Sequence, residues 1–193
     1  MVTLASYLAE LKDVLGRLDS HAFDALVEEI KRVHREDKVI YTCGNGGSAS
    51  TASHMINDLV KAPADASGCR PLRAIGLSDC LPLMTALAND IDYAQMFAKQ
   101  LRAYGRPGDL LLAISGSGNS PNIIEAVKVA KEIGMTVAGF SGYEGGKLRE
   151  MADIKLHVPC KCMAQVEDVH LILEHALVEV LKHALKPAAA ITV

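Results

Sequence analysis

The chain has 193 residues, half of them apolar and 22% charged, so it can bury a sizeable core and is too apolar to stay disordered. Its 20 basic and 23 acidic residues leave a net charge of −3, and aromatics make up only 4% with no Trp. That balance argues against a nucleic acid or an anionic membrane as partner and points to a smaller ligand.

No run of 18 apolar residues is present to cross a bilayer, and Glu10, Lys12 and Asp13 fall where a signal peptide would be apolar. The expected location is therefore cytoplasmic. Leu4, Leu8, Leu11, Leu15 and Leu18 recur at helical spacing. Phe23, Leu26, Val27, Ile30 and Val33 repeat that pattern behind Ser20, read as an N-cap, so residues 1–36 form two helices. From residue 37 short apolar runs alternate with helical patterns. Strands are predicted at 38–43, 72–77, 109–114, 135–140 and 153–158, and helices at 48–60, 119–133 and 164–184. The stretch 62–68 reads as a mobile loop and residues from Lys186 onward as a tail. Apolar strands without two-residue alternation need cover on both faces, which parallel sheets receive. The fold class is α/β: a doubly wound, five-stranded parallel sheet flanked by helices, with an N-terminal helical extension. One domain is expected over 1–193, its α/β core over 37–186.

Ligands of such sheets sit beyond the carboxyl ends of the strands. Two similar segments fall there: CGNGGSAS at 43–50, after the first strand, and ISGSGNS at 114–120, after the third. Each opens a helix whose free amides attract an anion, and each carries hydroxyls. Asn45, Gly46, Gly47 and Ser48 in one, and Ser115, Gly116, Ser117 and Ser120 in the other, are the candidate substrate contacts. Ala49 stands where a dinucleotide fingerprint has its third glycine, and no GxxxxGK[ST] occurs. With no Lys in either loop, a monophosphate fits better than a triphosphate. The five cysteines include no CxxC pair; Cys160 and Cys162 are read as small packed thiols rather than metal ligands.

The ordered motifs CGNGGS, AISGSGNSPNI, SGYEGGKL and VEDVHLILEH resemble the sugar isomerase (SIS) domain, and within it the single-domain phosphoheptose isomerases, over about residues 3–183. The resemblance implies conversion of sedoheptulose 7-phosphate to a glycero-manno-heptose 7-phosphate through an enediolate. It also implies a homotetramer with sites at subunit interfaces. That chemistry needs a base beside the carbon acid and an acid beside the carbonyl oxygen, or a metal that polarises both oxygens.

His54 and Asp58, four residues apart on one helical face, suit a metal, an acid–base pair or a plain ion pair. The last helix carries Glu167, Asp168, His170, Glu174 and His175. Glu167 and His175 are separated by about 12 Å along the axis, so spacing alone favours His170 as the partner of Glu167. The resemblance instead implies Asp58 and His175 as the catalytic pair. It implies a zinc ion on His54, Asp58, Glu167 and His175, with Glu167 also at the substrate. Four positions depart from the family pattern: Asp58 replaces Glu, Glu167 replaces Gln, Ala164 replaces Asp and Gly116 replaces Thr. Asn89 and Asp90 match a position near the substrate, or simply end a helix. Two rival readings are a non-catalytic binding protein of the initiator-associating type and an isomerase of another phosphosugar.

Overall fold

The structure, a computed structural model, describes residues 2–185; the tail read from Lys186 onward lies outside them. Two helices lead in. In α1 (Leu4–Leu15) the Thr3 hydroxyl accepts the Ser6 amide, while the Ser6 hydroxyl accepts the Thr3 amide. In α2 (Ser20–Arg35) the cap is Asp19 rather than Ser20. The Asp19 carboxylate reaches the amides of His21 and Ala22 at 2.9 and 3.3 Å, so Ser20 becomes the first helical residue.

The α/β part follows as β1 (Val39–Cys43), α3 (Gly47–Ser67), β2 (Arg73–Gly76), α4 (Leu81–Asp90), a 3₁₀ turn (Tyr93–Gln95), α5 (Met96–Tyr104), β3 (Leu110–Ser115), α6 (Pro121–Ile133), β4 (Thr136–Ser141), α7 (Gly146–Met151), β5 (Ile154–His157) and α8 (Met163–Ala184). All five strands are parallel, in the order β2-β1-β3-β4-β5.

Alternation along β3 divides the core. Leu110, Leu112 and Ile114 point to the layer of α2, α3 and α8, against Ile30, Met55, Leu59 and Leu177. Leu111 and Ala113 point to the layer of α5, α6 and α7, against Phe97, Leu101, Val127 and Leu148. Each fully buried leucine contributes about 1.5–3 kcal/mol relative to exposure, so the two-sided cover explains the absence of polar alternation in the strands.

Three stretches differ from the sequence reading, one of them residues 146–151, where no helix is predicted and the chain forms α7. Residues 62–67 are not a loop but the last turns of α3. Pro63 is buried there, and Gly68, at φ +69°, caps the end. The burial of Leu59 and Pro63 outweighs the turn signals of Pro63 and Asp65. Between β2 and β3, where no element is predicted, the chain forms α4, the 3₁₀ turn and α5. Among the described residues, no helix is long and apolar enough to cross a membrane.

Candidate active site

The chain leaves β1 for β2 on one side and returns through β3 on the other, so the strand order reverses between β1 and β3. Cys43 lies beside Ala113, and the two Gly-Ser loops therefore leave the sheet as neighbours. They are tied together. Asn45 donates to the Asn122 side-chain oxygen at 2.9 Å, and Asn122 donates back at 2.8 Å. The Tyr93 hydroxyl adds a third bond to Asn45 at 2.9 Å.

Between the loops lies a cavity of about 140 Å³, lined by Asn45, Ser48, Ser115, Gly116, Ser117 and Ser120, and by Met163 and Glu167 of α8. The Ser115 and Ser120 hydroxyls lie 3.2 Å apart. Neither α3 nor α6 is capped by the side chain of its N-cap residue, but Pro121 has no N–H and the Ile123 amide is already bonded to the Asn122 side-chain oxygen at 3.0 Å, so the start of α6 offers a ligand only the Asn122 amide. Two glycines let α8 approach. A Cβ at Gly47 would sit 2.7 Å from both carboxylate oxygens of Glu167, and one at Gly116 would sit 2.5 Å from the Met163 sulfur. Gly116 is the position where the resemblance has Thr, and the Met163 side chain occupies the space beside it.

A second group of side chains lies further along the same seam. Parallel strands followed by helices on one face set α3 and α8 side by side and running the same way. Gly47 meets Glu167, and seven residues along α3 His54 meets His175, ring centroids 5.0 Å apart and nearly perpendicular. Asp58 lies 3.6 Å from the His54 Nε2, and Glu174 lies 3.4 Å from the His175 Nε2. Ligand atoms of His54, Asp58, Glu174 and His175 all fall within 4.8 Å of one another. Two imidazoles and two carboxylates at that separation form a group able to hold a metal ion. Glu174 is fully buried, and neither of its oxygens has a hydrogen-bond partner. Burial pushes its carboxyl pKa up, and the Asp58 charge adds to the rise, while His175 and His54 oppose it.

His54, Asp58 and His175 are thus brought together, and Glu167 is not with them. It joins Ser48, Ser115, Ser117 and Ser120 at the cavity, because seven or eight residues of helix displace it by about two turns from Glu174 and His175. His170, which spacing favours as the partner of Glu167, belongs to neither group. It is 1% exposed, donates from Nε2 to the Ser141 carbonyl at 3.4 Å and stands edge-on to Phe140. Burial holds its pKa down to about 4, so the ring is neutral. Asn89 and Asp90 end α4 on the surface, bonded to each other at 2.7 Å; they are not among the residues lining the cavity or forming the imidazole–carboxylate group. The Cys160 thiol donates to Gln165 at 3.1 Å, and the five cysteines are free.

Two residues receive no role in the sequence reading: Asn122, which it does not single out, and Glu174, which it names on the last helix. Asn122 carries the signal of an amide on the buried side of a helix, directly behind the Pro121 that opens it. Glu174 is an acid on the apolar face of α8, seven residues beyond Glu167 and therefore on the same side.

Residues 6–142 match the family model described as the SIS domain. Curated relatives include phosphoheptose isomerases of Chlorobaculum parvum, 36% identical with 91% of this chain and 85% of that protein aligned, and of Aromatoleum aromaticum, 45% identical over 72% and 70%. Among solved structures, the phosphoheptose isomerase of Neisseria gonorrhoeae superposes with a TM-score of 0.84 at 34% identity, over 92% of this chain and 97% of that one. That of Francisella tularensis gives 0.86 at 30%, over 93% and 96%. The chain belongs to the SIS-domain family, among the phosphoheptose isomerases.

Proposed function

We propose that the protein interconverts sedoheptulose 7-phosphate and a glycero-manno-heptose 7-phosphate through an enediolate. The observation that carries this reading is the offset between the serine-lined cavity and the imidazole–carboxylate group. Seven residues of helix, ~10 Å, separate them along the α3–α8 seam, the order of length of an extended seven-carbon phosphosugar.

Ser115, Ser117 and Ser120 bind the phosphate through their hydroxyls. Asn45, Ser48 and Glu167 line the neighbouring part of the same cavity and hold sugar hydroxyls. Asp58 removes a proton from C1 of the ketose and returns it to C2. His175 gives a proton to the oxygen on C2 and takes one from the oxygen on C1, so the proton count closes. The shorter Asp58, in place of Glu, sets the base one methylene further back. The donor set of His54, Asp58 and His175 fits a divalent ion, which we take to be zinc. When bound, such an ion would polarise the two oxygens of the enediolate.

The assembly we take to be a homotetramer in the cytoplasm, with sites at subunit interfaces. Exposed apolar side chains on α1 (Leu4, Leu8) and α8 (Ile172, Val180) support association. The test is to incubate purified protein with sedoheptulose 7-phosphate, with and without zinc, and to follow aldose formation. Turnover is expected. Its absence under both conditions, with the sugar phosphate still bound, would establish the non-catalytic binding protein instead. Turnover of a different phosphosugar alone would move the substrate and keep the reaction class.

A further inference from the structure

Glu174 lies fully inside the protein, and neither of its carboxylate oxygens accepts a hydrogen bond. A buried carboxylate is tolerated when a cation or a proton neutralises it. Its ion-pair neighbour is His175, at 3.4 Å, and among the described residues no Lys or Arg pairs with it. The donor atoms of His54 and Asp58 complete its surroundings. Glu167 sits two turns earlier on α8, with its oxygens against Gly47 in the serine-lined cavity.

We propose that Glu174 supplies the second carboxylate to a divalent-cation site formed with His54, Asp58 and His175, and that Glu167 is thereby left to accept hydrogen bonds from sugar hydroxyls. The second half rests on the isomerase reading; the first does not. Charge supports the division. Asp58 and Glu174 balance the two charges of the ion, while two neutral imidazoles complete a nitrogen and oxygen donor set of the kind zinc takes. A third carboxylate at the ion would leave a net negative charge beside a buried anion. Seated at the N-terminus of α3, the Glu167 carboxylate instead meets the positive end of a helix. There it repels a phosphate and attracts hydroxyl donors. That places the phosphate on the Ser115–Ser120 side of the cavity and the sugar hydroxyls on the Glu167 side.

The experiment titrates Zn2+ alone into the full-length chain against a chromophoric chelator, for the wild type, Glu174→Gln and Glu167→Ala. A thermal melt of each metal-free protein checks folding. Wild type is expected to bind one zinc per chain. Glu174→Gln should weaken binding by at least about tenfold, whereas Glu167→Ala should stay within about twofold of wild type. At saturating zinc, Glu167→Ala, which removes the acceptor oxygens, should raise KM for sedoheptulose 7-phosphate. If Glu174→Gln fails to fold, Glu174→Leu, which fills the same buried space without charge, makes the same comparison. No zinc binding by the wild type overturns the site. So does unchanged affinity in the Glu174 variants, or an equal loss in Glu167→Ala. An unchanged KM in Glu167→Ala overturns the hydroxyl assignment. The zinc titration needs no sugar, so a chain that loses zinc on Glu174→Gln yet turns over no sedoheptulose 7-phosphate refutes the isomerase reading and keeps the metal site. Turnover together with unchanged zinc affinity in the Glu174 variants does the reverse.

Discussion

The serine-lined cavity and the imidazole–carboxylate group lie on one seam of the molecule but are built in opposite ways. The cavity is largely local. Its walls come from two loops that each follow a strand directly, and the pairing of β1 with β3 makes them neighbours. The second group has no local origin. His54 and Asp58 on α3 meet Glu174 and His175 on α8, more than a hundred residues later, and the register of two helices decides which acid joins which imidazole. A site assembled by strand pairing takes its place from the sheet. A site assembled by helix register depends on whatever holds the helices in place.

Breaking the second group should have the largest consequence. Asp58→Asn removes the base and is expected to lower kcat for sedoheptulose 7-phosphate by about 10²–10⁴-fold, with an unchanged circular dichroism spectrum. A variant with wild-type turnover would show that Asp58 is not the base.

The anchoring of α8 can be tested through pH. His170 stays neutral in the fold, with a pKa of about 4, because burial disfavours its charged form. Its ordinary value is 6.5, so below that value the unfolded chain takes up the proton first. Stability is complete above pH 6.5 and is lost as pH falls toward 4, by about 3 kcal/mol. Urea unfolding at a series of pH values should show that loss in the wild type, and a correspondingly smaller one in His170→Leu. Parallel curves would mean that His170 is not the acid-sensitive anchor.

The tie between the loops is a smaller target. Asn122→Ala removes both bonds to Asn45 and should lower the unfolding free energy by about 2 kcal/mol, measured by urea denaturation. The smallest effect is expected inside the cavity itself. Ser120→Ala takes one hydroxyl from the phosphate, raising KM about tenfold while leaving kcat nearly unchanged. A fall in kcat instead would place Ser120 at the reacting end.

The contrast between the two regions also accounts for how far the residues could be read in advance. All five strands and the helices carrying both loops are legible because apolar period and glycine-rich turns are properties of adjacent residues. Residues 62–67 mislead for the same reason: Pro63, Asp65 and Gly68 spell a turn locally, and burial of the α3 face overrules them. Between β2 and β3, α5 is held by Phe97 and Leu101 in the core layer it shares with α6, while α4 buries no residue fully and leans on that layer through Met84 and Leu87. His54 and Asp58 are legible as a pair from their helical spacing, and His175 by resemblance alone. The spacing rule on α8 points to His170, which the structure sends into the core toward Ser141.

Residue order alone was enough for the α/β architecture, the two Gly-Ser loops at the strand ends and the chemical types on α3 and α8. Each depends on hydrophobic period, backbone freedom or side-chain identity, and none needs a distant partner. Which carboxylate faces the imidazoles, Glu174 rather than Glu167, depended on the rotation and advance of α8 against α3. A helix presents a new side chain every 100° and 1.5 Å, and only contact with a second helix selects among them.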